Sequence, residues 1–126
     1  KSGFIHRDLK PENILYDYDT VHKKITRIWI ADFSLCKSSA GGPVPMSSVT
    51  GGTEGWRAPE MKTGNPIDIK VDTFSCGCIF HWLLTRKVHP FGDLREREQN
   101  IQKGQYNLSP LNPNQKNLIE KILSNY

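Results

Sequence analysis

The sequence has 126 residues and a formal net charge of +4, with 37% hydrophobic and 24% charged residues, which fits a soluble globular segment of one domain or a piece of one. Ten glycines and eight prolines are too few for a low-complexity or collagen-like chain. Lys23, Lys24 and Arg27 cluster, as do Arg86 and Lys87, but neither group is long enough for a nucleic-acid arm, and both read as solvated basic surface.

Phe4-Ile5 reads as a very short strand entering a polar loop, His6 to Glu12. Ile14-Leu15-Tyr16 is a second short strand, ended by the turn-rich stretch Asp17 to Lys24. Ile25 to Phe33 alternates, with Ile28 and Ile30 on one side, and is a third strand that makes an antiparallel hairpin with the second. Ser34 to Trp56 carries Ser, Gly, Pro and Thr with almost no apolar period; a structureless stretch of that length inside a compact domain is functional or mobile. Pro59 to Met61 opens a short helix closed by Gly64. Ile69 to Arg86 is the strongest helix, apolar nearly all round and therefore expected to be buried. Arg95 to Lys103 is a charged surface helix stopped by Gly104, and Asn114 to Leu123 is an amphipathic helix capped at Asn112. A hairpin, a long loop and helices around a buried central one is an unusual order for a self-sufficient fold, so much of the apolar surface is expected to face missing partners.

Cys36, Cys76 and Cys78 imply no disulfide framework, and Cys76-Gly77-Cys78 lacks the gap of a zinc motif; ordinary thiols in a reducing compartment are expected. His22, His81 and His89 have no metal-ligand spacing. The longest apolar run, Phe74 to Leu84, is too short for a bilayer, which needs about 20 apolar residues, so no membrane contact is expected of this segment. No signal peptide and no initial methionine open the chain, which is expected to be cut from something longer.

The chemistry concentrates in His6-Arg7-Asp8-Leu9-Lys10-Pro11-Glu12-Asn13. Phosphoryl transfer from ATP to a hydroxyl needs a carboxylate to orient the nucleophile and take its proton, cations against the moving phosphoryl group, and oxygen ligands for Mg²⁺. Asp8 offers the carboxylate, Lys10 the charge and Asn13 an amide oxygen, on a loop whose ends are held by strands. Ala31-Asp32-Phe33-Ser34 supplies a second carboxylate for the ion, since Mg²⁺ is held by a few hard oxygens plus phosphate.

These motifs resemble those of protein kinases. Asp32-Phe33 matches the start of the metal-binding motif, Ala58-Pro59-Glu60 the close of the activation segment, and Asp72-Thr73-Phe74-Ser75-Cys76-Gly77 the opening of the buried central helix. Lys10 and Thr53 point to Ser/Thr specificity within that family. The finer resemblance is to the inositol-requiring kinase/endoribonucleases, the unfolded-protein sensors of the endoplasmic reticulum. It rests on Asp32-Phe33-Ser34-Leu35-Cys36-Lys37, Gly52-Thr53-Glu54-Gly55-Trp56, His89-Pro90-Phe91-Gly92, the Gln99-Asn100-Ile101 helix and the lengthened hairpin turn.

The resemblance implies a kinase-like α+β fold, with residues 1–126 forming a mainly helical C-lobe portion and a small hairpin at the catalytic and metal-binding loops. The N-lobe and the extreme C-terminal end of the kinase domain are expected to be absent. It implies Asp8 as catalytic base and Lys10 as the phosphate contact. Asn13 and Asp32 become metal ligands and Leu15 part of the adenine floor, so ATP and Mg²⁺ are the expected cofactors. His6 and Phe33 would stack, Asp72 would hold the catalytic-loop backbone, and Glu60 would pair with an arginine beyond Tyr126. Ser38, Ser39, Ser47, Ser48 and Thr50 are candidate phosphosites, where a phosphate could pair with Arg7. The parent would phosphorylate protein Ser/Thr, including its own activation segment in trans, as a homodimer on the cytosolic side of the endoplasmic reticulum membrane, or in the cytoplasm if only the broader resemblance holds. This segment itself is expected to bind no nucleic acid directly.

Two departures stand out. Ser34 replaces a glycine, and left-handed backbone angles cost other residues roughly 1–2 kcal/mol, so altered loop regulation is expected. No G-x-G-x-x-G loop or strand lysine is present; Gly41-Gly42 and Gly51-Gly52 read as flexible loop residues, and the isolated segment is expected to be inactive. The alternative is a nucleotide-gated, pseudokinase-like scaffold controlling an attached endoribonuclease.

Overall fold

The computed structural model describes residues 3–45 and 51–124. Strand β1 (Phe4–Ile5) pairs antiparallel with β4 (Lys37–Ser38), and β2 (Ile14–Asp19) pairs antiparallel with β3 (Lys24–Ile30). The β-branched and aromatic residues of β2 and β3 suit a pleated ladder, and the register sets Ile14 opposite Ile30 and Tyr16 opposite Ile28, with a bulge at Asp17/Tyr18. At the hairpin tip, Asp19 Oδ1 accepts the N–H groups of Val21 and His22 at 2.9 and 3.0 Å. Strand β3 stops at Ile30 and not at Phe33, because the chain leaves the ladder: Ala31 N–H donates to the Asn13 carbonyl and Asp32 turns to a φ of 59°. The two residues of β4 were absent from the sequence expectation; they carry no alternation and form because β1 offers an edge.

A 3₁₀ turn spans Pro59–Lys62, beginning at the expected Pro59 and running one residue past Met61. Helix α1 (Lys70–Leu84) is the centre of the molecule, followed by α2 (Arg97–Lys103) and α3 (Pro113–Ser124). Gly104, at φ 64°, ends α2 in the left-handed cap. Asn112 and Gln115 cap α3 reciprocally: Gln115 N–H donates to Asn112 Oδ1 and Asn112 N–H to Gln115 Oε1, both at 3.0 Å, with Pro113 at the first helical position.

The core gathers Ile5, Leu9, Ala58, Met61, Ile67, Val71, Phe74, Cys78, Phe91 and Ile119 around α1. Each Val, Leu, Ile, Phe or Met side chain of this set, once buried, contributes about 1.5–3 kcal/mol. Helix α1 is not buried all round as its composition predicts: Phe80, Leu83 and Leu84 stay exposed. Helix α3 covers the Gly77 side of α1 and Trp56 another, while among the described residues the remaining side meets only a hollow shared with Pro11, Ile14 and Tyr16. All of β3 is exposed too, and Ile28 pairs with Tyr16, which lines the same hollow as Leu83 on α1. No helix among the described residues is long and apolar enough to cross a membrane.

Candidate active site

The loop after β1 is held from below by Asp72 in the first turn of α1. Its Oδ2 accepts the His6 N–H at 2.7 Å and its Oδ1 the Arg7 N–H at 2.9 Å. Arg7 sits at φ 71°, a strained angle for a residue with a Cβ, and the carboxylate fixes it there. The buried Arg7 side chain donates through Nε to the Leu35 carbonyl; burial works against its charge, and Cys36 and Asp72 oppose that effect. His6 is also buried. Its Nε2 lies 3.0 Å from the Ala31 carbonyl oxygen, which can only accept, and its Nδ1 accepts the Asp8 N–H at 3.3 Å, so the ring is the neutral Nε2–H tautomer. Its ring meets Phe33 edge-on, with centroids 5.0 Å apart.

Asp8 thus emerges from a loop whose backbone is tied at both preceding residues. Its Oδ1 accepts the N–H and the hydroxyl of Thr53 at 2.7 and 2.6 Å, and its Oδ2 stands 3.3 Å from Lys10 Nζ. Lys10 Nζ also donates to Thr53 Oγ1 at 2.6 Å, so the ammonium, the hydroxyl and the carboxylate close a triangle. Buried Asn13 donates from Nδ2 to the Asp8 carbonyl at 2.9 Å, which leaves its amide oxygen for another partner. The Asn13 carbonyl in turn accepts the Ala31 N–H at 2.8 Å, and that bond sets Asp32 beside the loop. Asp32 accepts from Ser34 Oγ at 2.6 Å and Ser34 N–H at 3.3 Å. Those bonds hold its carboxyl below the usual carboxylate range, and the nearby charge of Lys10 adds to the effect. Asp8, Asn13 and Asp32 therefore belong to one connected site.

The donor set fits a magnesium ion carried by a nucleotide. One amide oxygen and one exposed carboxylate are too few for a protein-only cage, and no group of three acidic, His or Cys ligands occurs among the described residues. Mg²⁺ keeps its remaining positions for water and substrate phosphate. Leu15 is half exposed opposite Trp29 across the hairpin.

Other expected residues stand apart from this centre. Glu60 is half-buried with no ion pair among the described residues; burial raises its carboxyl above the ordinary range. Ser38 lies in β4, its hydroxyl accepting the Ala40 N–H at 3.3 Å, and Ser39 N–H donates to the Gly3 carbonyl at 2.6 Å. Ser47, Ser48 and Thr50 lie outside the described residues. The thiol of Cys78 is buried and raised by desolvation, whereas Cys36 and Cys76 are half-buried.

Two sequence readings need correction. Gly52 is not a mere flexible loop residue: at φ 87°, a Cβ there would stand 2.9 Å from the Arg7 carbonyl oxygen. The left-handed angle at the metal-binding motif belongs to Asp32 and not to Ser34, so the serine imposes no such strain. The sequence also underrated Thr53, noted only for specificity, and missed Glu98, which takes the Gly55 N–H and the Lys62 ammonium and so anchors the segment that delivers Thr53. Ser75 adds a second anchor, its hydroxyl donating to the Trp56 carbonyl at 2.8 Å. The glycines around Thr53 were the available signal.

A carboxylate posed beside an ammonium and a hydroxyl, with an amide oxygen and a second carboxylate nearby, is an arrangement that phosphoryl transfer can use. The chain belongs to the protein kinase domain family, whose pattern it matches over residues 1–125. It is 40% identical over 114 residues to the serine/threonine-protein kinase/endoribonuclease ire-1 of Caenorhabditis elegans, covering 87% of this chain and 12% of that protein. It is 43% identical over 105 residues to the serine/threonine-protein kinase/endoribonuclease IRE2 of Homo sapiens, covering 79% and 11%. The sensor for unfolded proteins in the ER ire1 of Schizosaccharomyces pombe is 35% identical over 126 residues, covering 81% and 12%. The chain thus spans about one-eighth of the length of these relatives.

Proposed function

We propose that this chain is the C-lobe portion of the kinase domain of a Ser/Thr protein kinase that transfers the γ-phosphoryl group of ATP to protein hydroxyls. The observation that carries the reading is the contact of Asp8 with Thr53 and Lys10 on a loop pinned by Asp72. Asp8 orients the substrate hydroxyl and takes its proton as the oxygen attacks phosphorus. Lys10 places its charge against the moving phosphoryl group, and the Thr53 bridge keeps both side chains aimed at one point. Asn13 Oδ1 and the Asp32 carboxylate would hold Mg²⁺, which when bound neutralises charge on the nucleotide phosphates. The exposed faces of the hairpin and α1 are where the rest of the kinase domain packs.

The relatives' names support a narrower reading, a kinase/endoribonuclease that senses unfolded proteins in the endoplasmic reticulum. We further propose that its kinase domain dimerises and phosphorylates its own activation segment in trans on the cytosolic side of that membrane. Asp8→Asn in the parent protein is the test. Autophosphorylation should fall by about 10²–10⁴-fold with the thermal midpoint retained; transfer at the wild-type rate contradicts the reading. The bond of Ser34 to Asp32 favours a second possibility, a nucleotide-gated scaffold. Nucleotide binding without measurable phosphoryl transfer in the wild-type parent would select it.

A further inference from the structure

The Ser34 hydroxyl has no counterpart in the residue types that the site's chemistry requires, yet it makes one of the site's shortest bonds. Asp32 stands at φ 59°, in the left-handed region that residues with a Cβ enter at a cost. Two donors from a single residue hold its side chain in that conformation: Ser34 N–H at 3.3 Å and Ser34 Oγ at 2.6 Å, both on Oδ1. Any residue at position 34 supplies the N–H; only a hydroxyl supplies the second bond. Because Ser34 is not among the positive-φ residues, serine sits there without strain and its side chain is free to act on its neighbour.

We propose that Ser34 is a positioning residue that caps Oδ1 of Asp32, so that Asp32 offers the divalent ion Oδ2 alone and the site holds its metal more weakly than a hydroxyl-free site would. This rests on the reading of Asp32 as a metal ligand. A carboxylate oxygen already accepting two hydrogen bonds must give up the hydroxyl before it can share a divalent ion, and a charge-assisted hydrogen bond of this length opposes that exchange. A bidentate grip, or a bridge from Asp32 to a second ion, is therefore disfavoured while the hydroxyl is in place. The metal concentration needed to load the nucleotide site becomes the property that this residue sets.

Mn²⁺ titration of the parent kinase with saturating ADP, read by the electron paramagnetic resonance signal of free Mn²⁺, tests this in wild type, Ser34→Ala and Ser34→Thr. Ser34→Ala should bind Mn²⁺ about fivefold more tightly, the weight of one hydrogen bond, and Ser34→Thr should match wild type because it restores the hydroxyl. ADP affinity without metal should be the same in all three. Equal Mn²⁺ affinity in wild type and Ser34→Ala, or weaker binding in Ser34→Ala, overturns the inference while leaving the site intact. Failure of the wild type itself to bind Mn²⁺ with ADP overturns the metal site, and the inference with it.

Discussion

Gly52 passes so close to Arg7 that a Cβ on it would stand 2.9 Å from the Arg7 carbonyl oxygen and 2.8 Å from Arg57 Cδ. The arginine side chain could move, but the carbonyl belongs to a backbone that Asp72 has already tied. Gly52→Ala must therefore push the segment outward, at a φ of 87° that alanine also resists. Thr53 would then leave Asp8. Phosphoryl transfer by the parent should drop about 10²-fold, the scale of an ångström-sized misplacement, with ADP affinity retained. A steady-state assay beside calorimetric ADP binding separates the two effects.

Thr53 itself permits a sharper comparison. Its hydroxyl donates to Asp8 and accepts from Lys10, whereas its methyl group makes neither bond. Thr53→Val keeps shape and loses both bonds, leaving Lys10 and Asp8 to face each other directly. Thr53→Ser keeps both bonds. We expect kcat to fall at least tenfold in the valine variant and less than threefold in the serine variant, about the loss of one to two aligned hydrogen bonds. A serine variant as impaired as valine would show that the methyl group, and not the hydroxyl, matters.

The loop His6 to Asn13 was legible because its reactive groups are neighbours in sequence and their types are chemically specific. Thr53 was not, since its partner Asp8 lies 45 residues away and nothing local marks a threonine as a bridge. Asp72 became meaningful only through family resemblance; alone it is an acidic residue at a helix start, where the dipole already explains it. Apolar patterning, charge and stop residues gave the hairpin and all three helices, but not the two residues of β4, whose pairing depends on the edge of β1. Apolar patterning also overstated the burial of α1, because apolarity records which faces need covering and not whether the cover lies in the same 126 residues.

Asp72→Ala leaves the N–H groups of His6 and Arg7 without their acceptor beneath a loop with a strained φ. Two unsatisfied donors, one of them holding a left-handed residue, should cost about 2–4 kcal/mol. Asp72→Asn retains one acceptor oxygen and turns an amide N–H₂ toward the other donor, so its loss should be comparable or only slightly smaller. Urea unfolding of the parent kinase domain would show both midpoints lowered with an unchanged slope. An Asp72→Ala midpoint within error of wild type would mean that water satisfies those groups.

Gly77 sets how closely α3 approaches α1. A Cβ there would lie 2.8 Å from Leu123 Cδ2 and 2.9 Å from Ile122 Cγ2. Glycine inside a helix costs about 1 kcal/mol relative to alanine, so its presence trades helix propensity for contact. Gly77→Val adds branched bulk where no space exists and should destabilise by roughly 1–3 kcal/mol. Pairing it with Leu123→Ala, which vacates the overlapping atoms, should recover part of that loss, and a double-mutant cycle on unfolding free energies measures the coupling.

His89 provides the pH signature. Its buried ring meets Trp56 edge-on at 4.7 Å, and its Nδ1 accepts the Phe91 N–H at 3.2 Å. Burial, then the charges of Arg97 and His81, push its imidazole down to about 3. The unfolded chain takes up a proton near the ordinary value of 6.5, and the folded protein does not until about pH 3. The stability is therefore fully present above pH 6.5 and is lost as pH falls through that window, by about 1.4 kcal/mol per pH unit for one proton. His81, also lowered by burial, acts in the same direction. His89→Phe keeps a ring against Trp56 and removes the titration. Its free energy of unfolding should change less than that of wild type between pH 7 and pH 5, by about 2 kcal/mol. Parallel curves for the two proteins would show that the folded protein accepts the proton at position 89 as readily as the unfolded chain.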